Sequence, residues 1–233
     1  MLYEVCTSYK VPAGSGPAPV TGPAAGPQPD PAAQSAASGA DRPGTADPAA
    51  RDAVRVTGSS GAGFGLLPGL GLETGPDPVV LVLGTFPSAI ARREQAYYAN
   101  PQNQFWPIME RLFGIPRTLP YRDRVAALNE RGIALWDTVD ACRQEGSMDH
   151  TIRDPVLTDV AGWLEAHPSV GLVAVNGRTA ERFLKRALRG CTIGPHVRIA
   201  GLPSTSPANA GTTFEEKLRL WSLVRDHARV TRS

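Results

Sequence analysis

Lysine is scarce in this 233-residue chain, with Lys10, Lys185 and Lys217 as the three present. Chemistry that needs an amine nucleophile therefore has few suppliers. Cysteine is equally sparse: Cys6, Cys142 and Cys191 stand far apart with no CxxC pair. That spacing argues against a zinc site, an iron–sulfur cluster or a disulfide framework. No apolar run approaches the ~18 residues of a membrane span, and the first residues lack a basic segment followed by an apolar one. A soluble, cytoplasmic protein without a metal is expected. A formal charge of +2 gives no global basic signature of the kind strong nucleic-acid binders carry, so local patches must decide. Neither GxGxxG nor a P-loop occurs, since Gly84 runs straight into Thr85-Phe86-Pro87. A nucleotide cofactor is not indicated, and no cofactor is expected.

The first third also lacks the means to fold. Between Val11 and Ala50, 30 of 40 residues are Gly, Pro, Ala or Ser, and Val11 and Val20 are the larger aliphatic side chains. Such a stretch cannot bury enough apolar surface to offset its ordering entropy. Residues 1–62 read as a disordered extension and residues 63–233 as one domain. Gly61 to Gly75, with Leu66, Leu67, Leu70 and Leu72, is expected to lie along that domain's surface.

What is present is concentrated between Val79 and Trp106. Val79 to Leu83 is an apolar run bounded by Pro78 and Gly84, suited to a strand covered on both faces. It delivers Gly84-Thr85-Phe86-Pro87-Ser88 and, further on, Tyr97-Tyr98-Ala99-Asn100-Pro101-Gln102-Asn103-Gln104-Phe105-Trp106. Loops at the carboxyl ends of parallel strands are where such folds bind ligands.

Beyond this stretch the spacing predicts a helix over 105–113 closed by Gly114, and another over 121–131 broken by Gly132. A strand over 133–136 then presents Asp137. Cys142 to Pro155 reads as polar and irregular, and helical spacing resumes from Asp159. A strand over 170–175 ends at Asn176-Gly177 and is followed by a helix over 179–188. A last strand, 197–202, leads to Pro203-Ser204-Thr205-Ser206-Pro207-Ala208-Asn209-Ala210, and Thr213 with Glu216 forms a capping box for a helix over 214–229. Strands alternating with helices, without tight hairpin signals, imply a short, mainly parallel four-stranded sheet with helices on both faces.

Three of these segments, GTFPS, YYANPQNQFW and LPSTSPANA, resemble the hypoxanthine (deoxyinosine) DNA glycosylases of the uracil-DNA glycosylase superfamily over about residues 77–228. The resemblance implies a three-layer α/β/α sandwich and a monofunctional glycosylase. Its substrate would be a deaminated base in DNA, hypoxanthine first. Hydrolysis of a base–deoxyribose bond passes through an oxocarbenium-like state, so a water must be held near the sugar. The Asn-x-Phe-Trp segment makes Asn103 the candidate for that task, and a helix cap is its structural alternative. Tyr98 and Phe86 are candidate walls for a flipped base, and Asp137 is a candidate reader of its polar edge. Ser204, Thr205, Ser206, Pro207, Ala208 and Asn209 resemble the superfamily's DNA-clamping loop. Arg92, Arg93 and Arg178 are candidate phosphate contacts. No metal or iron–sulfur cluster and no membrane are expected, and the chain is expected to act on DNA as a monomer. Two alternatives stay open: a uracil or mismatch glycosylase, and a DNA-binding module without catalysis.

Overall fold

The computed structural model describes residues 65–231; the expected extension over residues 1–62, and its boundary with the domain, lie outside them. The described chain runs β1 (Leu67–Pro68), β2 (Val80–Gly84), α1 (Ala89–Glu94), α2 (Phe105–Phe113), α3 (Tyr121–Asn129), β3 (Ile133–Asp137) and β4 (Val139–Arg143). After a 3-10 turn at Asp149–Thr151 come β5 (Arg153–Leu157), α4 (Val160–Ala166), β6 (Leu172–Asn176), α5 (Arg178–Ala187), β7 (Arg198–Leu202) and α6 (Phe214–Thr231).

The main sheet has the order β3-β2-β6-β7, with every neighbouring pair parallel. All five residues of β2 are buried, and their alternation divides the core in two. Val80 and Val82 face α2, α3 and α6, whereas Leu81 and Leu83 face α4 and α5. Leu172 and Ala174 of β6 point to the first layer, and Val173 and Val175 to the second. Successive strand residues point to opposite faces, so a sheet with helices on both sides needs these unbroken apolar runs. Each fully buried Val or Leu contributes about 1.5–3 kcal/mol. The result is the three-layer α/β/α sandwich expected from the sequence.

Two expectations need correction. The stretch 142–155 is irregular only in its middle, residues 144–152: its ends belong to β4 and β5, which pair antiparallel, with β1 on the other edge of β4, as a second sheet of order β1-β4-β5. Its signals are weak because β4 and β5 are out of simple register at two points and Pro155 lies within β5. A proline is tolerated there because β5 is an edge strand. The chain changes sheets at Thr138, which is fully buried and donates its backbone N–H to Gly84 O at 3.0 Å and its hydroxyl to the same oxygen at 3.1 Å. Nor does the segment around Leu67 to Glu73 merely lie on the surface. Beyond β1, Glu73 exchanges both backbone hydrogen bonds with Leu135, at 2.9 and 2.8 Å, and so covers the outer edge of β3. An additional short helix, α1, follows Ser88, whose hydroxyl caps it by accepting from the Ala91 N–H at 3.2 Å.

Candidate active site

The carboxyl ends of the parallel strands open on one cleft of about 1480 Å³. That exceeds the usual 300–1,000 Å³ of a small-molecule pocket and suits a polymer that inserts one unit. Its walls include the loop after β2, the connection into α2, the Ser147–His150 stretch between β4 and β5, the near side of α5, and the loop after β7.

At the cleft, Gly84 and Asp137 sit side by side in the β2–β3 register. A side chain at 84 would collide with the Asp137 carboxylate and come within 3.4 Å of Tyr98 Oη. Glycine is therefore required for these two groups to approach the strand end. Asp137 is 5% exposed, and neither its Oδ2 nor Tyr98 Oη has a hydrogen-bond partner among the described residues. Buried polar atoms left without a partner are costly in a folded core, and both belong to residues that approach the same strand end. Burial first, then the nearby Asp149, pushes the Asp137 carboxyl up to about 8. At neutral pH it is chiefly a carboxylic acid, able to donate a hydrogen bond. Burial, and then the charge of Asp137, raises the Tyr98 phenol as well, so it too keeps its proton.

Tyr98 has left-handed backbone, φ 58°, a conformation that costs a non-glycine residue on the order of 1–3 kcal/mol. One face of its ring stacks on Phe105, with centroids 4.0 Å apart and planes 24° apart. The half-buried ring lines the cleft with the rest of its surface. Phe86 also lines it, backed by Val139, Cys142, Ile152 and Phe183, with the Arg92 guanidinium 5.2 Å from its ring centre. Asn103, half-buried at the cleft wall, accepts the Phe105 N–H on Oδ1 at 3.0 Å. It thus caps the entry to α2, and its carbonyl oxygen retains a second lone pair.

The loop after β7 is held by its own polar groups. Ser204 Oγ accepts from the Ser206 N–H at 3.2 Å, Ser206 Oγ from the Ala208 N–H at 3.3 Å, and Asn209 Nδ2 donates to Ser204 O at 3.0 Å. Pro207 and Ala208 are left exposed at its tip. Thr205 corrects the sequence expectation: it is 0% exposed and anchors the loop from beneath. Its hydroxyl accepts from Asn176 Nδ2 at 3.0 Å and its N–H donates to Asn176 Oδ1 at 2.9 Å. A hydroxyl so engaged cannot approach a phosphate. Of the arginines singled out from the sequence, Arg92 is tied to Pro87 O at 2.6 Å and Arg93 pairs with Glu94 at 2.9 Å, while Arg178 is exposed on the cleft.

Sequence reasoning missed three features. Asp149 lines the cleft and accepts the Thr85 hydroxyl at 3.0 Å, and burial raises its carboxyl despite that bond. It comes from the stretch read as irregular and carried no signal. Lys217, on the last helix, is 2% exposed and reaches under two walls at once. Its Nζ donates to Gln104 Oε1 at 2.8 Å and to Asn209 O at 2.9 Å. The signal was legible: Lys217, Trp221, Val224 and Ala228 repeat at the spacing of one helix face, and all four are buried. The third is a row of cations on α5.

An α/β/α sandwich with three loops converging on a strand-end cleft defines the class, and residues 73–225 match the family model described as the uracil DNA glycosylase superfamily. The chain belongs to that superfamily. It is 36% identical over 131 residues to the hypoxanthine DNA glycosylase of Methanosarcina acetivorans, covering 56% of this chain and 80% of that relative. It is 30% identical over 105 residues to the hypoxanthine DNA glycosylase of Methanosarcina barkeri, covering 45% of this chain and 66% of the relative. The solution NMR structure of a candidate uracil DNA glycosylase from Methanosarcina acetivorans superimposes with a TM-score of 0.60 at 30% identity, over 70% of this chain and 99% of that one. Within the superfamily, the curated relatives group the chain with the hypoxanthine DNA glycosylases.

Proposed function

We propose that the chain hydrolyses the N-glycosidic bond of hypoxanthine in DNA, leaving an abasic site, with Asn103 positioning the attacking water. The observation that carries this reading is the pair of unpartnered polar atoms, Asp137 Oδ2 and Tyr98 Oη, buried beside Gly84 in the cleft. Deamination replaces the amino group of adenine or cytosine by a carbonyl. A neutral carboxylic acid donates to a carbonyl, whereas the undamaged parent, adenine or cytosine, would meet it with an amino donor. The buried acid therefore favours deaminated bases as a class, and the hypoxanthine relatives favour the purine.

In this reading the flipped base lies between the free surface of Tyr98 and Phe86. Asn103, fixed by the Phe105 N–H at 3.0 Å, uses its remaining carbonyl lone pair to accept one proton of a water below the sugar. The water oxygen bonds to C1′ as the C1′–N bond breaks. The bonding pair leaves on the base, whose developing charge is met by the donors at the cleft, and the water's proton passes to solvent. The reaction as written needs water and no cofactor. Ser204, Ser206 and Asn209 hold the loop whose exposed Pro207 and Ala208 enter the duplex as the base leaves.

Among the described residues no helix is long and apolar enough to cross a membrane, and no group of three or more metal-binding side chains occurs. Our reading extends to a monomeric, cytoplasmic enzyme. The test is a single-turnover assay on duplexes carrying deoxyinosine or deoxyuridine, each developed with alkali. Excision of hypoxanthine supports the proposal. Excision of uracil alone would move the substrate to the pyrimidine alternative. Binding without any abasic product would reduce the protein to a DNA-binding module.

A further inference from the structure

The chain is close to neutral overall, yet its positive charge is unevenly placed. On α5 and the turn after it, Arg178, Arg182, Lys185, Arg186 and Arg189 are all exposed and all border the same cleft. Their spacing of 4, 3, 1 and 3 residues keeps them on one side of a helix of 3.6 residues per turn. Glu181 is the one carboxylate among them, and it is paired with Lys185 at 2.7 Å. Among the described residues, none of the four arginines carries an ion pair. Arg182 and Arg186 lie 5.6 and 5.3 Å from the ring centre of buried Phe183, one on each side of it in sequence. That contact restrains them and lowers the entropy lost when they bind.

We infer that this ridge is a second DNA-contact surface, which holds the phosphate backbone of duplex flanking the reacting nucleotide on one side of the lesion. The inference rests on the DNA-glycosylase reading. At about 1.5 Å per residue, Arg178 to Arg189 spans roughly 16 Å, close to five base-pair steps of a strand rising about 3.4 Å each. The row begins at the amino end of α5, beside Gly177 and the Ser204 loop, and runs away from them. The contact is therefore one-sided. Guanidinium groups suit the bidentate geometry of phosphate oxygens.

The test measures binding to an undamaged 20-base-pair duplex by fluorescence anisotropy across a salt series, which does not depend on catalysis. The full-length chain is compared with Arg182→Ala/Arg186→Ala/Arg189→Ala and with the corresponding triple Lys variant. Loss of three phosphate contacts should lower the slope of log K against log salt by about 2 to 3 and weaken binding on the order of tenfold or more. The Lys variant should recover most of the slope. Arg189→Glu, a single exposed change beyond the helix, should lower the slope by about 1 or more and guards against misfolding of the triple variant. A deoxyinosine placed near one duplex end should be excised less well than one near the other end. An unchanged slope, a Lys variant as weak as the Ala variant, or equal excision from both ends would overturn the inference. Failure of wild type to excise any lesion would instead count against the glycosylase reading, and the salt slopes would still decide the ridge.

Discussion

Lys217→Met is the substitution that most directly tests how the two loop motifs are held. The lysine is buried without an acid partner, and burial holds its ammonium below the usual lysine range. Its two hydrogen bonds reach Gln104, next to Asn103, and Asn209, at the end of the exposed loop. Gln104 is tied to the same loop a second time, donating its N–H to Thr205 O at 2.9 Å. Removing the ammonium loses two charge-assisted bonds of about 1.5–3 kcal/mol each. Methionine also removes the cost of desolvating an ammonium, which is several kcal/mol in a protein interior. The opposing terms are of similar size, so stability should move by no more than about 2 kcal/mol, or roughly 4–8 °C in Tm for a domain of this size. Catalysis should respond far more, because a reacting group displaced by about 1 Å can lose on the order of 10²-fold. The assay is single-turnover excision from a deoxyinosine duplex, with thermal melting of the same samples. A wild-type rate in Lys217→Met, or a rate loss matched by the unfolded fraction, would refute the strut.

Asn103→Ala should fold, lose about 1 kcal/mol through the missing helix cap, and lose on the order of 10²-fold or more in single-turnover rate; unchanged excision removes it from the mechanism. Asp137 should impose a pH signature. Its folded value of about 8 lies above the ordinary 3.8, so between about pH 4 and 8 the unfolded chain gives up the proton first and stability falls as pH rises. Melting temperatures of wild type and Asp137→Asn should diverge over that window, with wild type losing ground. Excision should decline above about pH 8 in wild type only, because the Asn amide keeps a donor; parallel pH profiles would exclude the neutral acid. Borohydride treatment on deoxyinosine DNA should trap no covalent complex, since Lys185 is ion-paired on the surface and Lys217 is engaged beneath the loops; an adduct on either would overturn water as nucleophile. A chain beginning at Gly61 should keep its excision rate, because residues 11–50 lack apolar side chains to complete a site; a folded but inactive product would move the boundary.

The main sheet was legible because its signal is local. Val80 to Leu83 and Leu172 to Val175 are buried on both faces and read as continuous apolar runs, and Gly84 and Gly177 punctuate them where close approach or backbone conformation requires it. The second sheet was not, because its stability lies in non-local pairing. Cys142 faces Leu67 across 75 positions of sequence, and β5 contains exposed Arg153 and Asp154 with a proline between strand residues. The site divides in the same way. Asn103, Tyr98 and Asp137 reach the cleft where strand ends deliver them, whereas Asp149 arrives through the pairing that sequence spacing does not encode. Thr205 shows the opposite error. Hydroxyl-rich composition suggested an exposed contact, but a loop that must keep one shape consumes some of its own hydroxyls to do so.

The charge arrangement explains how a nearly neutral chain can receive a polyanion over a cleft lined by three carboxylates, of which Glu181 is already paired with Lys185. An ionised Asp137 in the cleft would repel the phosphates of the bound strand, and so would an ionised Asp149. Burial raises both, and Asp137 far enough that it is chiefly uncharged at neutral pH. The same burial that removes the repulsion turns Asp137 from an acceptor into a donor, the polarity a carbonyl on a deaminated base requires. Positive charge can then be sparse and peripheral, on α5, where solvent screening still leaves it able to neutralise phosphates. In the proposed reading, the neutral donors of Asp137 and Tyr98 discriminate by hydrogen-bond direction. The buried Lys217 observes the same separation: its ammonium is turned inward onto Gln104 and Asn209, so it fixes the loops without presenting charge to the base.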